Sequence, residues 1–178
     1  MDNMTKRYML KQLTIDDDKD IYNMLKEIPL DENMFHNAVS NQSFSEFKMW
    51  LLKQDMISKG IGLEHWMVPQ TTYWLFIDDI PVGVGKLRHY LNDQLRIIGG
   101  HIGYAVIPKE RKKGYGSVLL SLLLDEAKKI GIDKAMITVL NENTASLMVA
   151  KNCNGNVMKV LNGRHYIIFD TTISINNN

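Results

Sequence analysis

The chain of 178 residues is poor in the parts that build several common kinds of site. It has one cysteine, Cys153, which excludes an intrachain disulfide and any zinc site built on paired cysteines. A lone thiol fits a reducing compartment, so a cytoplasmic location is the expectation. An excess of one charge sign is also missing. The 21 Lys and Arg against 20 Asp and Glu leave a formal net charge of +1. That balance gives no long-range attraction to nucleic acid or to an anionic membrane, and neither is expected as a partner. No stretch approaches the roughly 18 apolar residues of a membrane helix. The opening "MDNMTKRYMLKQLTIDDDKD" has no apolar run of signal-peptide length. No internal repeat is present, and one domain over 1–178 is expected.

What is there reads as alternating strands and helices. Residues 7–13 suit a first strand. Asp16, Asp17 and Asp18 then favour a helix start, followed by Ile21, Met24, Leu25 and Ile28 at helical spacing. A second helix is predicted over 43–59, with Ser43 and Glu46 as a capping box and Phe44, Phe47, Trp50, Leu51 and Met56 as its buried stripe. Strands at 71–77, 82–91 and 97–107 are separated by short turns and predict an antiparallel meander. A third helix follows over 115–130, with Val118, Leu119, Leu122, Leu123, Ala127 and Ile130 as its apolar face. A strand at 134–140 comes next, and the helical crossover makes it a parallel neighbour of the strand at 97–107. A helix over 144–152 capped by Asn143, and a hairpin of strands near 156–161 and 165–171, complete the chain. The order β-α-α-β-β-β-α-β-α-β-β is an α/β (α+β) mixed sheet, mostly antiparallel with one central parallel pair.

The segment "PKERKKGYGSVLLSLLLDEAKKIG" joins the third meander strand to the third helix. The amides of a helix's first turn lack partners within the helix, and the helix dipole favours an anion there. Gly114 and Gly116 let an anion approach the backbone, while Arg111, Lys112 and Lys113 add charge. Two readings follow from these features alone: a solvated basic turn, or a cradle for a pyrophosphate. A Walker A loop is excluded because no Gly-Lys-Ser/Thr closes the segment. The dinucleotide fingerprint is excluded because Leu119 stands where a third glycine is needed.

The run Arg111-Lys112-Lys113-Gly114-Tyr115-Gly116 resembles the acyl-CoA-binding signature of the GCN5-related N-acetyltransferase (GNAT) family. "GYAVIPKERKKGYGSVLL" is similar to the family's strand-to-helix motif, and "NENTASLMVAKNCNG" to its next motif segment. The order of elements is also the family's, so the resemblance covers essentially the whole chain and is strongest over 99–155. "VPQTTYWLFID", "LRHYLN" and "GGHIGYAV" resemble a group of bacterial members known mostly as predicted acetyltransferases. The resemblance implies a GNAT-like fold and acetyl-CoA as cosubstrate, with no metal. It assigns the CoA pyrophosphate to the backbone of Lys112, Lys113, Gly114, Tyr115, Gly116 and Ser117, with Arg111 and Lys113 at the rim. It assigns pantetheine to Val106 and Ile107, with Asn143 and Ser146 beside the arm or the thioester.

Acyl transfer to an amine also needs proton transfer. The phenol that many family members place seven residues after the opening Asn falls on Ala150, so another group or water would protonate the sulfur. Cys153 is three residues further on and reads as a packed thiol. For a base, His101 is the candidate, flanked by Gly99, Gly100 and Gly103, with an unperturbed pKa near 6.5. The competing reading makes it a hydrogen-bonding member of the sheet. His89 is a secondary candidate, and Tyr104 reads as core. The acceptor pocket would draw on the first two helices, the meander loops and the 60–70 loop, which offer Phe35, Trp50, Trp66, Trp74 and Glu64, although the aromatics read as core before they read as a substrate cage. The expected function is N-acetylation of a primary amine of a small molecule or peptide. The alternative is a non-catalytic acyl-CoA sensor on the same fold. A homodimer is compatible with the sequence, which specifies no oligomeric state.

Overall fold

The computed structural model describes residues 6–172. In chain order the elements are β1 (Tyr8–Gln12), α1 (Lys19–Lys26), the two-residue strands β2 (Asp31–Glu32) and β3 (Phe35–His36), α2 (Phe44–Ser58), β4 (Gln70–Ile77) and β5 (Ile80–Arg88). Then come α3 (Asp93–Ile97), β6 (Ile102–Val106), α4 (Tyr115–Lys129), β7 (Lys134–Leu140), α5 (Thr144–Asn152), β8 (Asn156–Leu161) and β9 (Arg164–Asp170).

The strands form two antiparallel sheets, ordered β1-β4-β5-β6 and β7-β9-β8, with β2 and β3 as a separate small hairpin. The core lies between these sheets and the helices. It includes Met24 and Leu25 of α1, Phe47 and Leu51 of α2, Trp74 and Leu75 of β4, and Leu119, Leu120, Leu123 and Leu124 of α4. The start of α2 follows the expected capping box. Ser43 N–H donates to the Glu46 carboxylate at 2.7 Å, and Glu46 N–H donates to Ser43 Oγ at 3.3 Å.

The structure departs from the sequence reading in four places. Residues 93–97 form a short helix, capped by Asn92 Oδ1 accepting from Leu95 N–H at 2.9 Å. Gly99 and Gly100 then turn the chain at φ +112° and +69°, and the strand expected over 97–107 begins only at Ile102. The helical faces also shift. On α4 the buried set is Tyr115, Leu119, Leu120, Leu123, Leu124 and Ala127, while Ile130 is 45% exposed. A run of near-continuous leucine does not say which residues face inward. On α2, Met56 is 45% exposed and Ile57 takes its place in the core. The hairpin of β2 and β3 is too short for any periodic signal.

The fourth departure shapes the site. The expected central parallel pair is not a ladder: β6 and β7 are edge strands of different sheets. Their connection is an isolated bridge between Gly100 and Ile137. Gly100 has φ +69°, and a Cβ there would lie 2.3 Å from the Met136 carbonyl oxygen. Only glycine allows the two backbones to meet so closely. Beyond that joint the strands go their own ways.

Candidate active site

The edge that β6 presents can be read from its register. Ile107 N–H donates to the Val82 carbonyl at 3.0 Å, and Arg88 N–H donates to the His101 carbonyl at 2.8 Å. In an antiparallel pair, backbone groups alternate between facing the partner and facing away. Ile102, Tyr104 and Val106, opposite Leu87, Gly85 and Gly83, therefore turn their backbone groups away from β5. The same logic applies to β7. Asn141 N–H bonds Gly163 O at 2.9 Å and Thr171 N–H bonds Asp133 O at 3.0 Å, so Met136, Thr138 and Leu140 turn theirs away from β9. Two strand edges thus bound a wedge that closes at Gly100. An extended ligand with amide groups could add to the β6 edge as a strand does.

Val106 and Ile107 contribute unequally. The Ile107 amide is engaged by Val82, and its carbonyl accepts from Glu110 N–H at 3.0 Å. The Val106 carbonyl accepts from Arg111 Nε at 3.0 Å. What remains toward the wedge is the Val106 N–H with the backbone groups of Tyr104 and Ile102.

Past β6, Gly114 caps α4 in the left-handed conformation, with φ +81° and open space where a Cβ would be. Lys112 is also left-handed, at φ 62°. The Tyr115 and Gly116 amides lie in the first helical turn, where they have no partner inside the helix. The Ser117 amide donates to the Gly114 carbonyl at 3.0 Å, so it is less available than the sequence suggests. Arg111 is a larger correction. Its Nη1 and Nη2 grip the Glu32 carboxylate at 2.9 and 2.6 Å, and its Nε holds Val106. The guanidinium anchors the loop and brings a neutralising carboxylate with it. Lys113 pairs with Glu110 at 2.9 Å, while Lys112 is exposed.

Asn143 caps α5. Its Oδ1 accepts from Ser146 N–H at 3.1 Å and its Nδ2 donates to Ser146 Oγ at 3.0 Å. The Tyr104 hydroxyl is buried without a hydrogen-bond partner. Burial pushes it up to about 12, opposed by the nearby Ser146 hydroxyl, which falls short of bonding geometry. Cys153 is the packed thiol expected, its Sγ donating to Ser117 O at 3.4 Å and its pKa raised by burial to about 11. Ala150 is buried.

His101 is a clip between the sheets. Its backbone N–H donates to Met136 O at 2.6 Å, and its Nδ1 accepts from Met136 N–H at 3.0 Å. An accepting Nδ1 puts the ring proton on Nε2 and leaves no lone pair to take a substrate proton. Burial, with Arg96 and Arg88 nearby, lowers its pKa to about 4. The geometry therefore favours the structural reading of His101 over the base. His89 bonds Thr71 Oγ1 through Nε2 at 2.8 Å, and burial lowers its pKa.

On the α1 and α2 side of the sheet lies a pocket of about 340 Å³. Its wall includes Phe35, Trp50, Trp66 and Glu64, with Lys86 and Arg88 of β5. Trp74 is core, as the sequence favours, whereas Phe35, Trp50 and Trp66 line the pocket instead of being closed into the core. Lys86 and Arg88 were missed. The signal was available: alternation puts them on the same face as the buried Val84. Arg88 Nη1 donates to the Gly100 carbonyl at 2.8 Å, so the pocket reaches the closed end of the wedge. Among the described residues no group of three or more His, Cys, Asp or Glu could hold a metal ion.

Comparison with known proteins agrees with this arrangement. The model of the Acetyltransferase (GNAT) family matches residues 32–154. No curated protein sequence matches the chain. Among solved structures, the N-acetyltransferase PseH of Campylobacter jejuni in complex with acetyl coenzyme A is 13% identical, with a TM-score of 0.56 over 92% of this chain and 99% of that one. The GNAT domain of PAT from S. lividans is 13% identical, with a TM-score of 0.63 over 90% and 89%. The yncA protein of Salmonella typhimurium, with acetyl-CoA, is 15% identical, with a TM-score of 0.60 over 92% and 94%. At such identities these structures speak to the fold. The family match spans well over half of the sequence, and with the wedge and the glycine-opened helix it leads to one conclusion: the chain belongs to the acetyltransferase (GNAT) family.

Proposed function

We propose that the protein is an acetyl-CoA-dependent N-acetyltransferase acting on a primary amine of a small molecule or peptide, both substrates being bound when the amine attacks. The observation that carries this reading is the wedge, with the left-handed Gly114 opening α4 beyond β6. A pyrophosphate suits the amides of Lys113, Gly114, Tyr115 and Gly116. Lys112 and Lys113 supply charge, and Arg111 acts by holding the loop. An amide-bearing arm suits the β6 edge at Val106 and Tyr104, with Asn143 and Ser146 at the start of α5 and the unpartnered Tyr104 hydroxyl near Ser146.

When bound, acetyl-CoA supplies a thioester carbonyl as electrophile. The pocket beside Arg88 and Gly100 would present the amine to it. The new bond is N–C, the broken bond is C–S, and the amine's proton ends on the thiol or in solvent. His101 is not the base in this scheme. No helix among the described residues is long and apolar enough to cross a membrane, and the single buried thiol accords with a cytoplasmic setting.

Titration calorimetry with acetyl-CoA tests the donor. Micromolar-range binding is expected. Gly114→Glu should abolish it, whereas Gly114→Ala, which carries the same left-handed strain without the charge, should weaken it by about tenfold or less. A folded protein that binds no acetyl-CoA would end the reading. Thiol release above the hydrolysis rate across an amine panel tests catalysis. Binding without any turnover would favour the non-catalytic sensor, a reading for which the bonded His101 and Ala150 speak.

A further inference from the structure

Three cations line the pocket: Lys53, exposed on α2, and Lys86 and Arg88 on β5. Lys86 and Arg88 lie two residues apart on β5, so their side chains leave the same face of the sheet. Lys86 Nζ donates to the His36 carbonyl at 2.8 Å and lies 4.4 Å from the Phe35 ring centroid. Arg88 donates to the Gly100 carbonyl. Among the described residues neither takes part in an ion pair, although surface lysines elsewhere do. The one carboxylate in the wall, Glu64, is exposed.

Two neighbouring half-buried cations without a counter-charge are unfavourable, and a pocket wall is where a ligand can supply the counter-charge. Burial and the neighbouring Arg88 bring Lys86 down to about 8, and burial lowers Arg88. Both remain largely charged at neutral pH. Trp50, Trp66 and Phe35 add aromatic surface to a wall that also carries Gln54 and Gln70, and where they exclude water they would strengthen a charge pair.

Resting on the acceptor-pocket reading above, we infer that the acceptor is an amine carrying its own anionic group, a carboxylate or a phosphate, seated against Lys86 and Arg88. Arg88 also touches Gly100 at the closed end of the wedge, so an anion held there leaves the amine of the same molecule a short reach from the donor. A polyamine or another purely cationic amine would meet repulsion at this wall.

The test uses matched probes: amino acids against their carboxamides, and phosphorylated amino-alcohols against the parent amino-alcohols, with spermidine as a cationic probe. Binding is measured by saturation-transfer NMR on the protein alone and with CoA, so that it does not depend on turnover. At least one anionic set should bind about tenfold or more tightly than its partners, as a charge-assisted contact predicts. Which set does so separates carboxylate from phosphate. Lys86→Gln should remove the preference and Lys86→Arg should keep it, with both variants still binding acetyl-CoA. Lys86→Met gives the same comparison if the glutamine variant folds poorly. Equal binding within every pair, preference for spermidine, or a preference untouched by Lys86→Gln overturns the inference. So does a Lys86→Gln effect confined to kcat with KM unchanged, which would make Lys86 a proton-transfer group. An anion seat in a protein that ignores acetyl-CoA would sink the donor reading alone. Efficient acetylation of spermidine without anion preference would sink the acceptor inference alone.

Discussion

His101 shows how one residue can suit two roles from its type and only one from its bonds. Its Nδ1 satisfies the Met136 amide of an edge strand. His101→Ala would leave that donor unsatisfied, which costs about 1–3 kcal/mol when the group is buried. Thermal unfolding should show the loss at neutral pH. The pH dependence has a definite sign. The folded pKa of about 4 lies below the ordinary histidine value of 6.5, so the unfolded chain binds more protons between them. The imidazole's contribution is full above about 6.5 and is lost as pH falls through about 4. The unfolding midpoint of the wild type should therefore drop more steeply over that window than that of His101→Ala. The acid limb of kcat/KM should be the same in both. A shift in that limb on substitution would restore His101 as the base.

At the scale of elements, much was legible because helices and long strands carry a period. The capping box at Ser43, the Asn143 cap and the glycine-opened α4 all follow from local chemistry, and the structure has each of them. The failures are equally physical. Two-residue strands such as β2 and β3 have no period to read. The apolar, β-branched segment running into Gly99 and Gly100 looked like strand, yet Ile97 closes the helix capped by Asn92 and the two glycines turn at positive φ. Arg111 looked like a ligand group because its partner, Glu32, lies 79 residues away in the chain. That pair ties β2 to the loop before α4, and lysine cannot reproduce its two-pronged geometry together with the Nε bond to Val106. Arg111→Lys should weaken acetyl-CoA binding by about tenfold through loss of loop order. Calorimetry checks the affinity. An unchanged affinity would mean that the loop holds its shape without the guanidinium.

Across the whole molecule, the hairpin of β2 and β3 touches both halves of the site. Glu32 grips Arg111 on the donor side, while Phe35 and His36 contact Lys86 on the pocket side. A donor that steadies the loop should steady the pocket wall as well. Acetyl-CoA is therefore expected to raise acceptor affinity by about fivefold or more, with the acceptor raising donor affinity by the same factor. Calorimetry in both orders measures this, and Glu32→Gln should reduce the factor toward one. The joint at Gly100 has a different consequence, for how the protein could change. A side chain there would strike the Met136 carbonyl, so the position that closes the site is also one that holds the two sheets together. Variation at that point is tested by folding before it is tested by activity. New acceptor preferences must then arise elsewhere, in the 60–70 loop and on the exposed face of the hairpin, where substitutions can accumulate without disturbing the wedge.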